Sequence, residues 1–189
     1  MTRRIPTLES ERLLIRELVP EDLEPLHQIL NEAFDGNMPL AERARWLQWT
    51  VLGYEMFALL GQPHYGERGM ALKETGELIG AVGIVPYLEQ FGHVAAFNSD
   101  PEAPATAEVG LYWAVDPAFQ GRGYATEAAR AVVDYLFGEL KLGRVIATTG
   151  RDNLASQAVM RKLGMAVEQV ENPPPPGIAV VGVLANRGR

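Results

Sequence analysis

Glu108-Val109-Gly110-Leu111-Tyr112-Trp113-Ala114-Val115 runs through Asp116-Pro117-Ala118-Phe119 into Gln120-Gly121-Arg122-Gly123-Tyr124-Ala125-Thr126. In the first eight residues Val109, Leu111, Trp113 and Val115 alternate with Glu108, Gly110, Tyr112 and Ala114, the period of a half-buried strand. Asp116-Pro117 ends it, because proline brings no N–H to a ladder. After the glycines, Ala125, Ala128, Ala129, Val132, Leu136 and Phe137 share one helical face, with Glu127, Arg130 and Asp134 opposite. A strand therefore leads through a two-glycine turn into a helix N-terminus. The first amides of a helix lack intrahelical partners and carry the positive end of its dipole. Glycines allow positive φ and close approach of a ligand, and Arg122 adds a full charge, so the turn is suited to an anion.

Two common nucleotide motifs do not fit. A P-loop needs a lysine after its last glycine, and none follows Gly123. A dinucleotide fingerprint needs a third glycine where Thr126 stands, and a tight turn where Asp116–Gln120 intervenes.

The rest of the chain bounds the answer. Its 189 residues, 47% apolar and 22% charged, suit a single folded domain over 1–189. Absence of cysteine excludes disulfides, cysteine metal sites, iron–sulfur clusters and a thiol nucleophile. A net charge of -7 argues against nucleic acid as the main partner. His27, His64 and His93 are scattered and read as structural or surface residues, so no metal site is expected. No apolar run approaches a membrane span and no export signal is evident, which reads as cytoplasmic.

Working outward, Glu11–Leu18 reads as a strand, with Asp22 as the N-cap of a helix carrying Leu23, Leu26, Leu30, Ala33 and Phe34. A second helix is expected from about Pro39 to Leu60. Leu40, Ala44, Leu47, Val51, Tyr54 and Ala58 form one apolar stripe; Trp46, Trp49, Gly53, Phe57 and Leu60 form another. A helix apolar on two sides needs two covers. Substrate, loop or a second subunit (a homodimer) are all open for the second.

Met70–Lys73 and Glu77–Val85 read as a hairpin, and Tyr87–Thr106 as a long insertion. Arg144–Thr149 is a short strand. Asp152 or Asn153 caps a helix ending at Gly164, and Met165–Val170 and Ile178–Leu184 close the chain around the stiff run Pro173–Pro176.

Gln120–Ala125 resembles the Q/R-x-x-G-x-G/A acyl-CoA-binding signature of the GCN5-related N-acetyltransferase (GNAT) superfamily. Asp152-Asn153, Ser156 and Lys162-Leu163-Gly164-Met165 resemble its later N-x-x-A/S…LGF segment. Glu108–Trp113 and Thr7-Glu9-Arg12-Leu13-Leu14-Arg16 resemble strands of its RimJ/RimL-like branch.

The resemblance implies a mixed α/β fold: a largely antiparallel sheet of six or seven strands with about four helices. The strand ending near Val115 would splay from Arg144–Thr149 to admit a pantetheine arm. It also implies acetyl-CoA as cosubstrate and a primary amine as acceptor, either a peptide N-terminus or a small molecule. Backbone at Trp113, Ala114 and Val115 would hold the pantetheine and polarise the thioester. Gln120, Gly121, Arg122, Gly123, Tyr124, Ala125 and Thr126 would cradle the pyrophosphate, and Asn153 would bond the arm. Glu108 is the candidate base, through water, and Ser156 the candidate acid. Many relatives carry a tyrosine where Met160 stands, so a catalytically weak CoA-binding sensor is the alternative reading.

Overall fold

The computed structural model describes residues 4–34, 36–97, 100, 102–170 and 179–188. The chain runs β1 (Leu8–Glu9), β2 (Leu13–Arg16), α1 (Leu23–Ala33), α2 (Leu40–Leu59), β3 (Gly66–Leu72) and β4 (Leu78–Glu89). It continues with β5 (Thr106–Val115), α3 (Tyr124–Gly138), β6 (Arg144–Thr149), α4 (Leu154–Leu163), β7 (Ala166–Gln169) and β8 (Val180–Ala185). The strands form one open sheet in the order β1-β2-β3-β4-β5-β6-β8-β7, and its described pairings are antiparallel except that of β5 with β6. The mixed, largely antiparallel sheet and four α-helices are as expected.

Eight strands replace the expected six or seven because the opening segment folds back on itself. Leu8 pairs with Ile15 and Glu9 with Leu14. Between them the Arg12 amide and the Ser10 hydroxyl both donate to Glu127 of α3, which draws Ser10–Arg12 out of a continuous strand. Asp22 stands at the N-cap position of α1 as expected, but its side chain serves another partner. It is buried and makes no cap bond to α1. Its carboxylate instead accepts two hydrogen bonds from Arg16, at 2.7 and 2.8 Å, and one from the Val19 amide at 2.9 Å. A carboxylate claimed by a bidentate arginine is no longer available to helix amides.

The chain divides into two compact units, Met1–Ile84 with Tyr112–Val132, and Val85–Leu111 with Val133–Arg189. In the first, Leu26, Ile29 and Leu30 of α1 meet Leu47 of α2, Ala81 of β4 and Ala114 of β5 in one apolar cluster. The two stripes read on α2 resolve unequally. Arg43, Leu47, Thr50, Gly53 and Tyr54 are buried and Trp46 is half-buried, whereas Trp49, Leu52, Met56, Leu59 and Leu60 are exposed. The β3–β4 hairpin turns at Gly76, whose φ of +76° favours glycine.

In the second unit β8 is the organising strand. It pairs antiparallel with β6 from Arg144↔Ala185 to Thr149↔Val180, and with β7 from Ala166↔Val183 to Gln169↔Val180. Phe91, Val94, Ile146, Val170, Val181 and Val183 form its core. Helix α4 ends at Gly164 with φ of +89°, the stop expected of a glycine after Arg161 and Lys162 in the last turn. Pro173–Pro176, Asn98, Ser99 and Pro101 lie outside the described residues.

Candidate active site

The two-glycine turn between β5 and α3 lies within the first unit. Strand β5 ends at Val115, and the Asp116 amide donates to Ile79 O at 2.9 Å, which pins the strand end to β4. Asp116 Oδ1 then accepts from the Ala118 amide at 2.7 Å, closing a 3-10 turn over Pro117–Phe119. Gln120 donates its side-chain amide back to Val115 O at 2.9 Å. One residue of the signature thus spans the loop from the strand end to the glycine turn.

Gly121 and Gly123 have φ of +74° and +86°, a region where a side chain is strained. Space around Gly121 is open, with nothing within 4 Å of where a Cβ would stand. Helix α3 starts at Tyr124, and the 121–126 amides find no acceptor among the described residues. Donor amides without acceptors, set around two positive-φ glycines at a helix start, are suited to an anion. Arg122 is exposed; its Nη2 donates to Ala118 O at 2.9 Å, and its guanidinium stands 5.4 Å from the Phe119 ring centre.

Arg12 braces this turn, a role that no local sequence pattern assigns. Its Nη2 donates to Arg122 O at 3.1 Å and its Nε to Glu127 Oε2 at 2.8 Å, and its guanidinium lies 4.2 Å over the Tyr124 ring. Burial pushes the Glu127 carboxyl up. The Arg12 amide, the Ser10 hydroxyl and the Arg12 guanidinium outweigh it and hold the group below the usual carboxylate range. The Arg122 carbonyl is thereby engaged by Arg12, while the amides of the turn have no acceptor among the described residues. The pairing of Arg12 with Glu127 is a long-range contact, separated by 115 residues, that no local pattern encodes.

Backbone at Trp113–Val115 closes the first unit's share of the candidate residues. Ala114 and Val115 are buried and Trp113 is half-buried. Ala114 O would lie 2.4 Å from a Cβ on Gly80, so glycine is what lets β4 and β5 approach here.

The remaining candidates lie in the second unit. Glu108 is 7% exposed and forms a bidentate ion pair with Arg144, whose Nε donates to Oε2 at 2.8 Å. The Thr106 hydroxyl donates to Oε1 at 2.9 Å, and the Arg144 guanidinium sits 4.3 Å from the Phe97 ring centre. Burial along β5 falls at Glu108, Gly110, Leu111, Ala114 and Val115, so strict alternation does not hold and Glu108 turns inward. Asn153 is the N-cap of α4, its Oδ1 accepting from the Ser156 amide at 2.9 Å. That settles the choice between Asp152 and Asn153. The cap spends the Asn153 carbonyl oxygen and keeps its NH2 donors for another group. Met160 is fully buried and packs against Gly182.

A GNAT acetyltransferase domain model matches residues 12–166, most of the chain. The chain belongs to the GNAT acetyltransferase family. It is 42% identical over 77 residues to the uncharacterised N-acetyltransferase YnaD of Bacillus subtilis, a match covering 41% of this chain and 43% of YnaD. To YoaA of the same organism, also an uncharacterised N-acetyltransferase, it is 28% identical over 87% of this chain and 85% of the relative. To the spermidine N(1)-acetyltransferase of Escherichia coli it is 28% identical over 87% of this chain and 77% of that enzyme. A GNAT acetyltransferase structure from Bacillus anthracis superposes with a TM-score of 0.71 at 22% identity, covering 96% and 99% of the two chains. RimL, a ribosomal L7/L12 α-N-protein acetyltransferase solved with coenzyme A, superposes at 0.62 and 16% identity, covering 92% and 93%. The GNAT chain thus has RimL among its structural neighbours, as its strand motifs led us to expect. Among its described residues no cluster of three or more metal-ligating side chains occurs, and no helix is long and apolar enough to cross a membrane.

Proposed function

We propose that this GNAT chain transfers the acetyl group of acetyl-CoA to a primary amine, a peptide N-terminus or a small molecule, by direct attack of the amine. The observation that carries the donor is the turn Gly121–Thr126, with amides lacking an acceptor among the described residues, two positive-φ glycines and open space at Gly121. These residues fit a pyrophosphate, because several converging N–H donors hold a diffuse anion without a lysine. Gln120 fixes the turn to the end of β5, and Arg122 supplies the nearby positive charge. The cosubstrate contributes an activated acetyl thioester. The Trp113–Val115 backbone would orient it and place amide donors at its carbonyl, where charge develops as the amine attacks. Asn153 would bond the pantetheine arm through the NH2 that its cap leaves over.

Proton balance sets what the side chains must do. An ammonium sheds one proton before attack and a second after it; one of these must reach the departing sulfur. Ser156 would hand a proton on at that point. Glu108 would take one through water, although Arg144 engages both of its oxygens and Thr106 one of them. An α-amino group near pKa 7.7–8.0 needs this help far less than a lysine near 10.4. Met160 in place of a tyrosine favours the sensor reading in one respect: a buried thioether has no proton to give.

Thiol release over a panel of amines and peptides tests the proposal, alongside calorimetry with acetyl-CoA. Release with some acceptor supports the transferase. Tight acetyl-CoA binding with no release from any acceptor leaves the sensor, and no binding at all removes both.

A further inference from the structure

The inward face of α2 in the first unit is not apolar throughout. Arg43, Leu47, Thr50 and Tyr54 succeed one another at three- and four-residue steps and are all buried. Arg43 is 7% exposed, yet it forms no ion pair among the described residues. Its Nη2 reaches Asn31 Oδ1 only at 3.5 Å, its Nε has no partner, and its guanidinium lies 5.3 Å from the Trp46 ring centre. The Thr50 hydroxyl is fully buried and has no partner either.

On the sheet side stand Glu67 of β3 and Tyr112 of β5. Glu67 pairs across the ladder with Gly83, which offers no side chain to cover it, and it too forms no ion pair among the described residues. Tyr112 stacks on Phe34 with ring centres 5.7 Å apart. The groups sense one another. Burial raises the Tyr112 phenol, with Glu67 adding to that and Arg43 opposing it. Burial likewise raises the Glu67 carboxyl and lowers the Arg43 guanidinium.

A buried cation and a half-buried carboxylate that form no ion pair are costly to the fold; direct pairing or replacement by apolar residues would be more stable. Held apart, they match a ligand that carries both charges in the opposite order. We propose, building on the N-acetyltransferase reading, that this cluster binds the acceptor and that the acceptor is a free amino acid. Its ammonium faces Glu67; its carboxylate faces Arg43 and the Thr50 hydroxyl; its side chain lies against Phe34, Trp46 and Tyr112. Tyr112 immediately precedes Trp113–Val115, the backbone assigned to the thioester, so an amine held there is next to the acyl carbon. A polyamine would set a second cation against Arg43. A peptide N-terminus would leave the guanidinium with a neutral carbonyl in place of its counter-charge.

The test compares three acceptor classes on the acetyl-CoA-loaded protein by thiol release: the amino acids, their carboxamides, and spermidine. At least one amino acid should exceed its own carboxamide roughly 50-fold in kcat/KM, because a site built for a charged partner rejects analogues lacking it. Arg43→Met should abolish that preference by raising the amino-acid KM while the acetyl-CoA KM stays the same. The melting temperature should hold or rise, since an unpaired buried cation has been removed. Arg43→Lys, keeping charge but losing the planar fork, should fall between. Equal use of acid and carboxamide, a preference for spermidine, or a preference that survives Arg43→Met overturns the amino-acid assignment and leaves N-acetyltransfer standing. Acetyl-CoA binding with no thiol release from any of the three classes overturns the amino-acid assignment, and silence from the wider panel of amines and peptides as well overturns the transferase reading itself.

Discussion

Two pairs of glycines in the first unit stand in opposite surroundings. Gly121 and Gly123 line a turn where a side chain on Gly121 would meet nothing within 4 Å, and one on Gly123 only Arg12 Nη2 at 3.7 Å. Gly53 and Gly66 close on His64: a Cβ on either would stand 2.7 or 2.6 Å from its ring. His64 is 4% exposed and wedged against Tyr54 and Phe57, with ring centres 4.4 and 5.4 Å away. One glycine pair makes room for something the chain does not supply. The other makes room for a side chain that it does. Sequence shows both as glycine; only the contacts tell a cradle from a packing solution.

Substitution separates the two cases. Gly123→Asp puts a carboxylate into the anion turn and a side chain at a φ of +86°. It should cost acetyl-CoA affinity roughly 1,000-fold, about 4 kcal/mol, by calorimetry, while the far-UV spectrum and melting temperature change little. Gly66→Ala combines a clash with a φ of +130° and should do the reverse. Unfolding should become easier by about 2–3 kcal/mol in urea, with acetyl-CoA affinity intact in the folded protein. A loss of coenzyme affinity from Gly66→Ala, or a collapse of stability from Gly123→Asp, would erase the contrast.

The packed side also carries a pH signature. Burial, aided by the Arg68 charge and opposed by Glu17, lowers the His64 pKa from 6.5 to about 4. The unfolded chain therefore binds this proton more tightly than the folded one, and stability should fall as pH drops from about 6.5 towards 4. The contribution is roughly 2–3 kcal/mol, and His64→Phe should flatten that window in urea titrations. The smallest effect belongs to the brace. Arg12→Ala should raise the acetyl-CoA KM about five-fold by loosening the Arg122 carbonyl, with Arg12→Lys recovering part of it, as expected for a charge-assisted hydrogen bond in an exposed place.

What the sequence made legible follows from the range of the forces involved. The β5–turn–α3 unit, the Asn153 cap and the Gly164 stop are local: each is encoded by residues a few positions apart, and each stands where it was read. Asp22 stands at the cap position, but a cap signal is also a good arginine partner, and its carboxylate goes to Arg16 on the neighbouring strand. Glu108 showed its address on β5 but not its partner, since Arg144 lies 36 residues away. The Arg12–Glu127 brace and the Arg43–Glu67–Tyr112 cluster were invisible for the same reason. They join elements that only the sheet order brings together. Of the second stripe on α2, Gly53 is buried and Trp46 and Phe57 half-buried, while Trp49 and Leu60 are exposed, beside Leu52, Met56 and Leu59.

Hydrogen exchange at the 121–126 amides, with and without saturating acetyl-CoA, probes the anion cradle most directly. Binding should slow exchange across Gly121–Thr126 by capping donors that have no acceptor of their own. Acetyl-CoA that binds and protects other amides while these exchange at an unaltered rate would contradict the account.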